Sequence, residues 1–229
     1  MNSQIFCAPP ACWAPGLITK DDWEAWTFNN KQILKSRERP PISFTPPLFR
    51  RRLSQLSCMI IQVVHDALTS NNIANIKQSF ISFRGEIGRQ FSVNKTLIQE
   101  QTVMPAAFSL SVFNTPVALA SIANQLKNGY SAIFSKENHF FDAFVTAIAP
   151  VLCGDEENIL LIYGDELIPE EYDSVNESEN IPLAFACVVS GKKNEICTIP
   201  CNVESVQNKT PAIFLKSLLK SVYGENRHD

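Results

Sequence analysis

Residues 129–139 read GYSAIFSKENH, and this stretch decides the predicted architecture of the chain. Its apolar centre, residues 132–134, predicts a short strand over residues 131–135. The polar residues that follow favour a turn. From residue 138 to residue 152 apolar side chains recur at three- and four-residue steps, which predicts a helix with one apolar face.

The flanking sequence continues this alternation of strands and helices. Residues 158–163 form a continuous apolar run, which is typical of a strand buried on both faces. Further strands are predicted at residues 4–7, 77–83, 182–190 and 195–199, the last as a hairpin partner of the strand before it. Helical periodicity extends over residues 48–67, 89–101, 105–126 and 211–222. This order predicts one α/β domain over residues 1–229, with a mixed central sheet flanked by helices.

The composition is that of an ordinary globular protein, with 45% hydrophobic residues, 19% charged residues and a formal net charge of −3. This charge gives no support for nucleic acid or an anionic membrane as the main partner. The apolar runs stay far below the ~20 residues that span a bilayer, and the N-terminus lacks the features of a signal peptide. We therefore expect a soluble, cytoplasmic protein.

The cysteines and acidic residues do not form a metal-binding pattern. Seven cysteines are scattered along the chain, and this odd number argues against a disulfide framework. Cys197 and Cys201 are four residues apart, but no second pair of ligands follows them, so we expect no metal and no cofactor. Four acidic residues lack ligand spacing as well and are expected on a solvated surface: Asp165, Glu166, Glu170 and Glu171.

Histidine is the usual general base near neutral pH, and the chain has three: His65, His139 and His228. Only His139 lies in the decisive stretch, close to Glu137. This pair leaves open a hypothesis of an acyl-thioester hydrolase or transferase. Residues two apart on a helix do not face one site, however, which speaks against it.

Five motifs, taken in order, resemble a known family. They are PLFRRRLSQL at residues 47–56, SFRGEIGR at 82–89, MPAAFSLSVFN at 104–114, the stretch at 129–139, and ILLIYGDE at 159–166. Together they resemble the N-terminal half of the β-ketoacyl synthases over residues 48–166. They are most similar to the short, ketosynthase-like chain length factors of bacterial type II systems, including those of aryl polyene biosynthesis. The resemblance implies a thiolase-like fold.

The chain departs from the ketosynthase pattern at the nucleophile. In that family a cysteine follows the short strand at the head of a buried helix, and here that position falls within Lys136, Glu137 and Asn138. A decarboxylative condensation needs a thiolate to carry the acyl chain. Cys153 lies a whole helix further on, ~20 Å away at 1.5 Å per residue. The family also uses two histidines from its C-terminal half, and this chain ends about where that half would begin.

The resemblance therefore implies a non-catalytic subunit that pairs with an active ketosynthase in type II fatty acid or polyketide-like biosynthesis. Ketosynthases dimerise through the strand before the nucleophile, which here would be residues 131–135. The residues that match the family's acyl tunnel and interface are Ala106, Ala107, Phe108, Val112, Phe113, Pro116, Ala132, Ile133 and Phe134.

Two points stay open from the sequence. Val112, Phe113 and Pro116 fit an ordinary core equally well, because apolar helix faces are mostly core. A standalone module that binds a carrier protein is also compatible with the length and charge. The triplet of Arg50, Arg51 and Arg52 could meet an acidic carrier protein by charge complementarity, whether the chain is a ketosynthase subunit or a standalone module.

Overall fold

The fold is built on one sheet. A computed structural model of the protein describes residues 4–136, 138–172 and 180–224. These residues form seven strands: β1 (Gln4–Cys7), β2 (Ala11–Trp13), β3 (Gln78–Ser82), β4 (Tyr130–Phe134), β5 (Asn158–Asp165), β6 (Leu183–Ser190) and β7 (Ile199–Asn202).

Helices occupy the connections between the strands. The described residues form α1 (Lys20–Thr27), α2 (Pro47–Arg50), α3 (Gln55–Ser70), α4 (Ile87–Glu100), α5 (Pro105–Ser109), α6 (Thr115–Ala123), α7 (Phe140–Cys153) and α8 (Pro211–Gly224). A short 3₁₀ helix, Val203–Val206, follows β7. The predicted mixed sheet flanked by helices is confirmed.

The strand order is β4-β3-β5-β6-β1-β7. Strands β4, β3 and β5 run parallel, whereas β6 is antiparallel to β5 and to β1. Strand β2 also pairs with β6, beyond the point where β1 leaves it. Pro9 and Pro10 lie between β1 and β2 and interrupt the pairing with β6, because proline has no N–H group to donate to the sheet. The parallel strands place their carboxyl ends at one edge of the sheet.

Two apolar layers cover the sheet. One face packs against α1, α7 and α8, and the other packs against α3 and α6. Strand β5 contributes to both, with Leu161 and Tyr163 on the first face and Leu160 and Ile162 on the second. This confirms the prediction of a strand that is buried on both faces.

Close packing against the sheet depends on Gly164. A Cβ atom at Gly164 would lie 2.5 Å from Cδ1 of Ile60 on α3. Real Cβ atoms do not approach other carbon atoms this closely, since protein interiors are already close-packed. The missing side chain therefore allows α3 to lie directly on the end of β5.

The single helix predicted over residues 105–126 is wrong. The segment forms two helices, α5 and α6, joined by residues 110–114. Pro116 is the physical reason, because a proline inside a helix lacks the N–H donor and its ring clashes with the carbonyl four residues earlier. A new helix that begins at Thr115 places Pro116 in its first turn, where neither problem arises.

The predicted hairpin of residues 195–199 with the preceding strand is also wrong. Asn194 turns the chain, since its Oδ1 accepts hydrogen bonds from the backbone N–H groups of Ile196 (3.0 Å) and Cys197 (2.7 Å). The strand β7 starts only at Ile199 and pairs with β1. Side-chain capping of this kind offers the backbone an alternative to a tight hairpin.

Candidate functional site

Strand β4 forms one edge of the sheet. Its residues pair in parallel with β3, from Gln78 opposite Tyr130 to Ser82 opposite Phe134. Within residues 4–136, 138–172 and 180–224 no strand pairs with its other side. An edge of this kind presents unpaired N–H and C=O groups that are a template for another strand.

Exposed apolar side chains lie on β4 and on the segment of α5 and the α5–α6 connection. Phe134, the last residue of β4, is 65% exposed, and Phe108 on α5 is 60% exposed. Val112 in the α5–α6 connection is exposed too, and the ring of Phe113 packs edge-on against Phe134 with centroids 6.0 Å apart. We call these four residues the apolar strip. Large apolar side chains grouped on a surface are a mark of protein–protein contact sites.

The α5–α6 connection is attached to β4 by a polar contact as well. Asn114 Nδ2 donates a hydrogen bond to the hydroxyl oxygen of Tyr130 at 2.9 Å. Phe113 also approaches Phe80 of β3, with ring centroids 6.1 Å apart. These contacts fix the connection, and with it the apolar strip, relative to the edge of the sheet.

The remaining residues of the predicted tunnel and interface lie in different surroundings. Ala106 is exposed, whereas Pro116 is buried at the start of α6. Ala132 packs with the α3 and α6 layer, and Ile133 packs with the layer that contains α7. Ala107 lines a cavity beside α4 and α5. The structure thus brings Phe113 and Phe134 together and places Pro116 in the core.

The predicted nucleophile position lies in the turn between β4 and α7. Lys136 and Asn138 are exposed, and Asn138 has a left-handed φ of 67°. Glu137 lies outside the described residues. The turn is held by Ser135, whose hydroxyl donates to the carbonyl oxygen of His139 at 2.8 Å. The described part of this turn offers no thiol, since Cys153 is the last residue of α7.

His139 makes a contact on the surface of the protein. Its Nδ1 lies 3.1 Å from a carboxylate oxygen of Asp142, and both side chains are mostly exposed. The acid–base pair with Glu137 that the sequence left open includes a residue outside the described part of the chain. Asn138 also borders a cavity of about 150 Å³ between Tyr163 and Lys209. That volume is below the roughly 300–1,000 Å³ of ligand pockets.

Asp165 is buried at the end of β5, which corrects the expectation of a solvated acidic loop. Its carboxylate accepts hydrogen bonds from the hydroxyl groups of Ser82 and Tyr163, both at 2.7 Å, and from the backbone N–H groups of Phe83 and Arg84, both at 3.1 Å. Burial raises the pKa of Asp165. The carboxylate ties the end of β3 to the end of β5.

Glu166 is buried as well, between the N-terminal turns of two helices. It accepts hydrogen bonds from the backbone N–H of Leu56 at 3.2 Å and from that of Gly88 at 3.0 Å. Burial, followed by the nearby charge of Glu86, raises its pKa from 4.5 to about 7. Glu170 and Glu171 are exposed, so the expectation of a solvated surface is correct only for this second pair.

Glu86 completes this buried carboxylate group. It accepts hydrogen bonds from the hydroxyl groups of Ser54 at 2.6 Å and Ser57 at 2.5 Å, and it pairs with Arg89 Nε at 3.2 Å. These carboxylates satisfy helix N-termini and hydroxyl donors. Across the described ranges, no group of three or more His, Cys, Asp or Glu residues has a metal-binding arrangement.

A comparison with protein-family models establishes the family to which the chain belongs. The family described as "Beta-ketoacyl synthase, N-terminal domain" matches residues 23–217. The chain belongs to this family. A sequence search among curated proteins gives no match.

Solved structures of ketosynthases share the fold. The complex of a ketosynthase with its chain length factor from Xenorhabdus doucetiae matches with a TM-score of 0.72 and 22% identity, over 83% of this chain and 80% of that chain. The ishigamide ketosynthase/chain length factor matches with a TM-score of 0.62 and 11% identity, over 86% of this chain and 64% of that one.

A third solved structure of a β-ketoacyl synthase also shares the fold. A β-ketoacyl synthase from Burkholderia phymatum STM815 matches with a TM-score of 0.57 and 12% identity, over 82% of this chain and 59% of that one. The ketosynthase fold of this chain is therefore shown. In the part of the chain that the structure describes, no helix has the length and apolar character needed to cross a membrane.

Proposed function

We propose that this ketosynthase-family chain is a non-catalytic subunit of the chain-length-factor type, which pairs with an active β-ketoacyl synthase. The observation that carries the proposal is the edge strand β4, unpaired on one side and bordered by the apolar strip. A partner strand would satisfy the backbone groups of β4, and burial of the strip would add apolar contact area.

The non-catalytic role rests on the turn that follows β4. Condensation by a ketosynthase requires a cysteine thiolate there, and neither Lys136 nor Asn138 can form a thioester. Glu137, the third residue of that position in the sequence, has no sulfur atom to hold an acyl chain either. The cavity beside Asn138 is small, about 150 Å³. The chain's contribution to condensation would then be made through its partner.

The residues of the apolar strip suggest how it would act. Phe108, Val112 and Phe113 are large, and Phe113 packs against Phe134 at the edge where the partner would dock. Together with Ala106, Ala107, Pro116 and residues 132–134 they would shape the end of the partner's acyl tunnel and limit chain length. The buried position of Pro116 supports only an indirect role for this residue, through the start of α6.

The proposed partner, pathway and carrier-protein contact are supported by the family relationship and by charge. The chain length factor in the Xenorhabdus doucetiae complex is bound to its ketosynthase, and the likeness of fold supports an equivalent pairing here. The pathway would be a type II fatty acid or polyketide-like one, such as aryl polyene biosynthesis. The family match to residues 23–217 supports a single ketosynthase-like domain. Arg51 and Arg52 are exposed beside α2 and would offer positive charge to an acidic carrier protein.

The test is co-expression with the ketosynthase encoded nearest this gene, followed by molar-mass measurement across a size-exclusion peak. We expect a 1:1 complex. Phe134→Asp should abolish it, because a charge would be buried without a partner in the interface. The matched control is Ile213→Asp, which places the same charge on an exposed apolar residue of α8.

The outcomes are distinct. A complex that is lost with Phe134→Asp and kept with Ile213→Asp supports the proposed interface. A chain that remains a monomer or homodimer beside the ketosynthase contradicts the subunit role. A complex that survives Phe134→Asp contradicts the placement of the interface at β4.

A further inference from the structure

A second cavity, of about 570 Å³, lies beside α4 and α5. Its walls come from the loop before α2, the N-terminal turn of α3, α4 and α5. Three arginines line it, namely Arg37, Arg39 and Arg89, and we call it the arginine cavity. Its volume lies within the roughly 300–1,000 Å³ that is typical of small-molecule sites.

Two of the three arginines are held in position by backbone groups. Arg39 Nη1 donates to the carbonyl oxygen of Leu53 at 2.8 Å, and Arg89 Nη2 donates to that of Arg52 at 2.7 Å. Arg89 also pairs with Glu86 through Nε, and since a guanidinium group has five N–H donors, both arginines keep further donors for a ligand. Guanidinium groups that converge on one cavity favour phosphate, which offers several acceptor oxygens and two negative charges.

A buried amide gives the second, independent sign of a ligand. Gln55 lines the cavity and is 7% exposed. Its Nε2 donates to the carbonyl oxygens of Ser36 and Glu38, both at 2.7 Å, which fixes the orientation of the amide. Its Oε1 is buried and has no hydrogen-bond partner among the described residues. A buried acceptor without a partner is costly, and a ligand that carries an N–H or O–H group would satisfy it.

Glu166 and the apolar residues that line the cavity are compatible with such a ligand. Glu166 on the floor has its pKa raised to about 7 and already accepts two backbone N–H groups, so its repulsion of an anion is weakened near neutral pH. Val93, Val103 and Met104 supply an apolar wall. Helix α4 supplies both kinds of group, because Arg89 and Val93 lie one turn apart on it.

We propose that the arginine cavity binds a small phosphate monoester whose adjoining group carries an N–H or O–H donor. The phosphate contacts the three arginines, and the donor contacts Oε1 of Gln55. The short apolar part of the ligand lies against α4 and α5. This site is separate from β4, so the proposal does not depend on the subunit role.

Isothermal titration calorimetry on the full chain tests this with three probes. N-acetyl-phosphoethanolamine carries the phosphate and an amide N–H, its N-methyl derivative lacks the N–H, and N-acetylethanolamine lacks the phosphate. We expect 1:1 binding of the first probe, binding weaker by about tenfold for the N-methyl derivative, since one hydrogen bond to a buried acceptor is lost, and no binding of the third.

Protein variants locate the site. Arg37→Glu should weaken binding of N-acetyl-phosphoethanolamine by at least about tenfold, because it replaces attraction by repulsion at an exposed position. Arg51→Glu makes the same change at an exposed arginine outside the cavity and is the matched control. Ser92→Trp should block binding by filling the space, without removing a charged group.

Three results would overturn the proposal. They are the absence of saturable binding of N-acetyl-phosphoethanolamine at about 10 mM, equal binding of N-acetylethanolamine, and binding that Arg37→Glu and Arg51→Glu weaken equally. Circular dichroism melts of each variant show whether the fold is kept. Equal binding of the N-methyl derivative would contradict the contact with Gln55.

Discussion

Glu166 is one residue that joins two helices to the end of the sheet. Its two oxygens accept N–H groups from the first turns of α3 and α4. These N–H groups have no partner within their own helices, and the positive end of each helix dipole favours the carboxylate. Burial acts in the opposite direction and favours the neutral form, which explains the pKa of about 7.

The raised pKa of Glu166 predicts a pH dependence of stability. Between about pH 4.5 and 7 the folded state holds a proton that the unfolded state has released. The free energy of unfolding should therefore fall as the pH rises through this window, by about 3 kcal/mol from this residue. Glu166→Gln removes the titration, so the difference between the wild type and this variant in urea unfolding should change by about 2.5 kcal/mol between pH 5 and pH 8.

The exposed Glu171 provides the control for this measurement. Glu171→Gln should follow the wild type at both pH values. A constant difference between the wild type and Glu166→Gln across the window would contradict the assignment, because it would show that Glu166 does not titrate there.

The sequence alone could not place Asp165 and Glu166. Both stand in an acidic segment with no periodicity, and composition favours a solvated loop for such a segment. Their partners come from distant parts of the chain, since Leu56 and Glu166 are 110 residues apart and Ser82 and Asp165 are 83 apart. Only the topology of the parallel strands brings these groups together, and no local pattern encodes it.

At the scale of elements, the turn between β3 and α4 packs against the α5–α6 connection. Gly85 in this turn has φ of 55°, and a Cβ atom there would lie 2.7 Å from Cδ2 of Phe113. Phe113 in turn contacts Phe134 of β4. A left-handed residue without a side chain is therefore needed for the two connections to meet beside β4.

Gly85→Ala should be destabilising for two reasons, backbone strain and a clash with Phe113. A substitution at Gly129, which introduces only the strain, distinguishes the two contributions. Gly129 also has a positive φ, of 76°, but nothing lies within 4 Å of its missing Cβ. Gly129→Ala should cost about 1 kcal/mol from backbone strain alone. Gly85→Ala should cost at least about 1 kcal/mol more, from the clash with Phe113. Equal losses in thermal or urea unfolding would contradict the role of this contact.

Elements with a strong local pattern were predictable, and those set by packing were not. The apolar run of β5 and the periodic face of α3 correspond to real elements because burial on both faces, or on one helical face, leaves a local pattern. The helix predicted over residues 48–67 is nevertheless interrupted at residues 51–54, which separate α2 from α3. The division between α5 and α6 was missed although Pro116 is a visible signal. The pairing of β7 with β1 was missed because it depends on chain segments that are far apart.

At the scale of the whole molecule, α5 contributes residues both to the candidate interface and to the arginine cavity. Phe108 belongs to the apolar strip, whereas Ala107 beside it lines the cavity. The resemblance to chain length factors predicted both residues as one set, since a family motif gives positions along the chain and does not show which side of a short helix each one faces. In the structure Ala107 lines the arginine cavity, whereas Phe108 is exposed and is not one of the lining residues.

In the complex with a ketosynthase, Phe108→Ala should lengthen the product. A smaller side chain at the end of the proposed tunnel leaves more room for the growing chain. Product length would be measured by mass spectrometry after reaction of the purified complex with its carrier protein. The matched control is Ile213→Ala on α8, and an unchanged product with Phe108→Ala would contradict the tunnel role.

The position of β1 also has a consequence for how the chain folds during synthesis. β1 lies between β6 and β7, so Ile5 pairs with Cys201 and Phe6 pairs with Ser190. Residues 4–7 therefore leave the ribosome well before residues 183–202, with which they pair. Contacts with such a large sequence separation slow folding, and incomplete chains expose unpaired apolar strands in the meantime. Translation of this protein should therefore produce nascent chains that depend on chaperones until residues 183–202 have emerged.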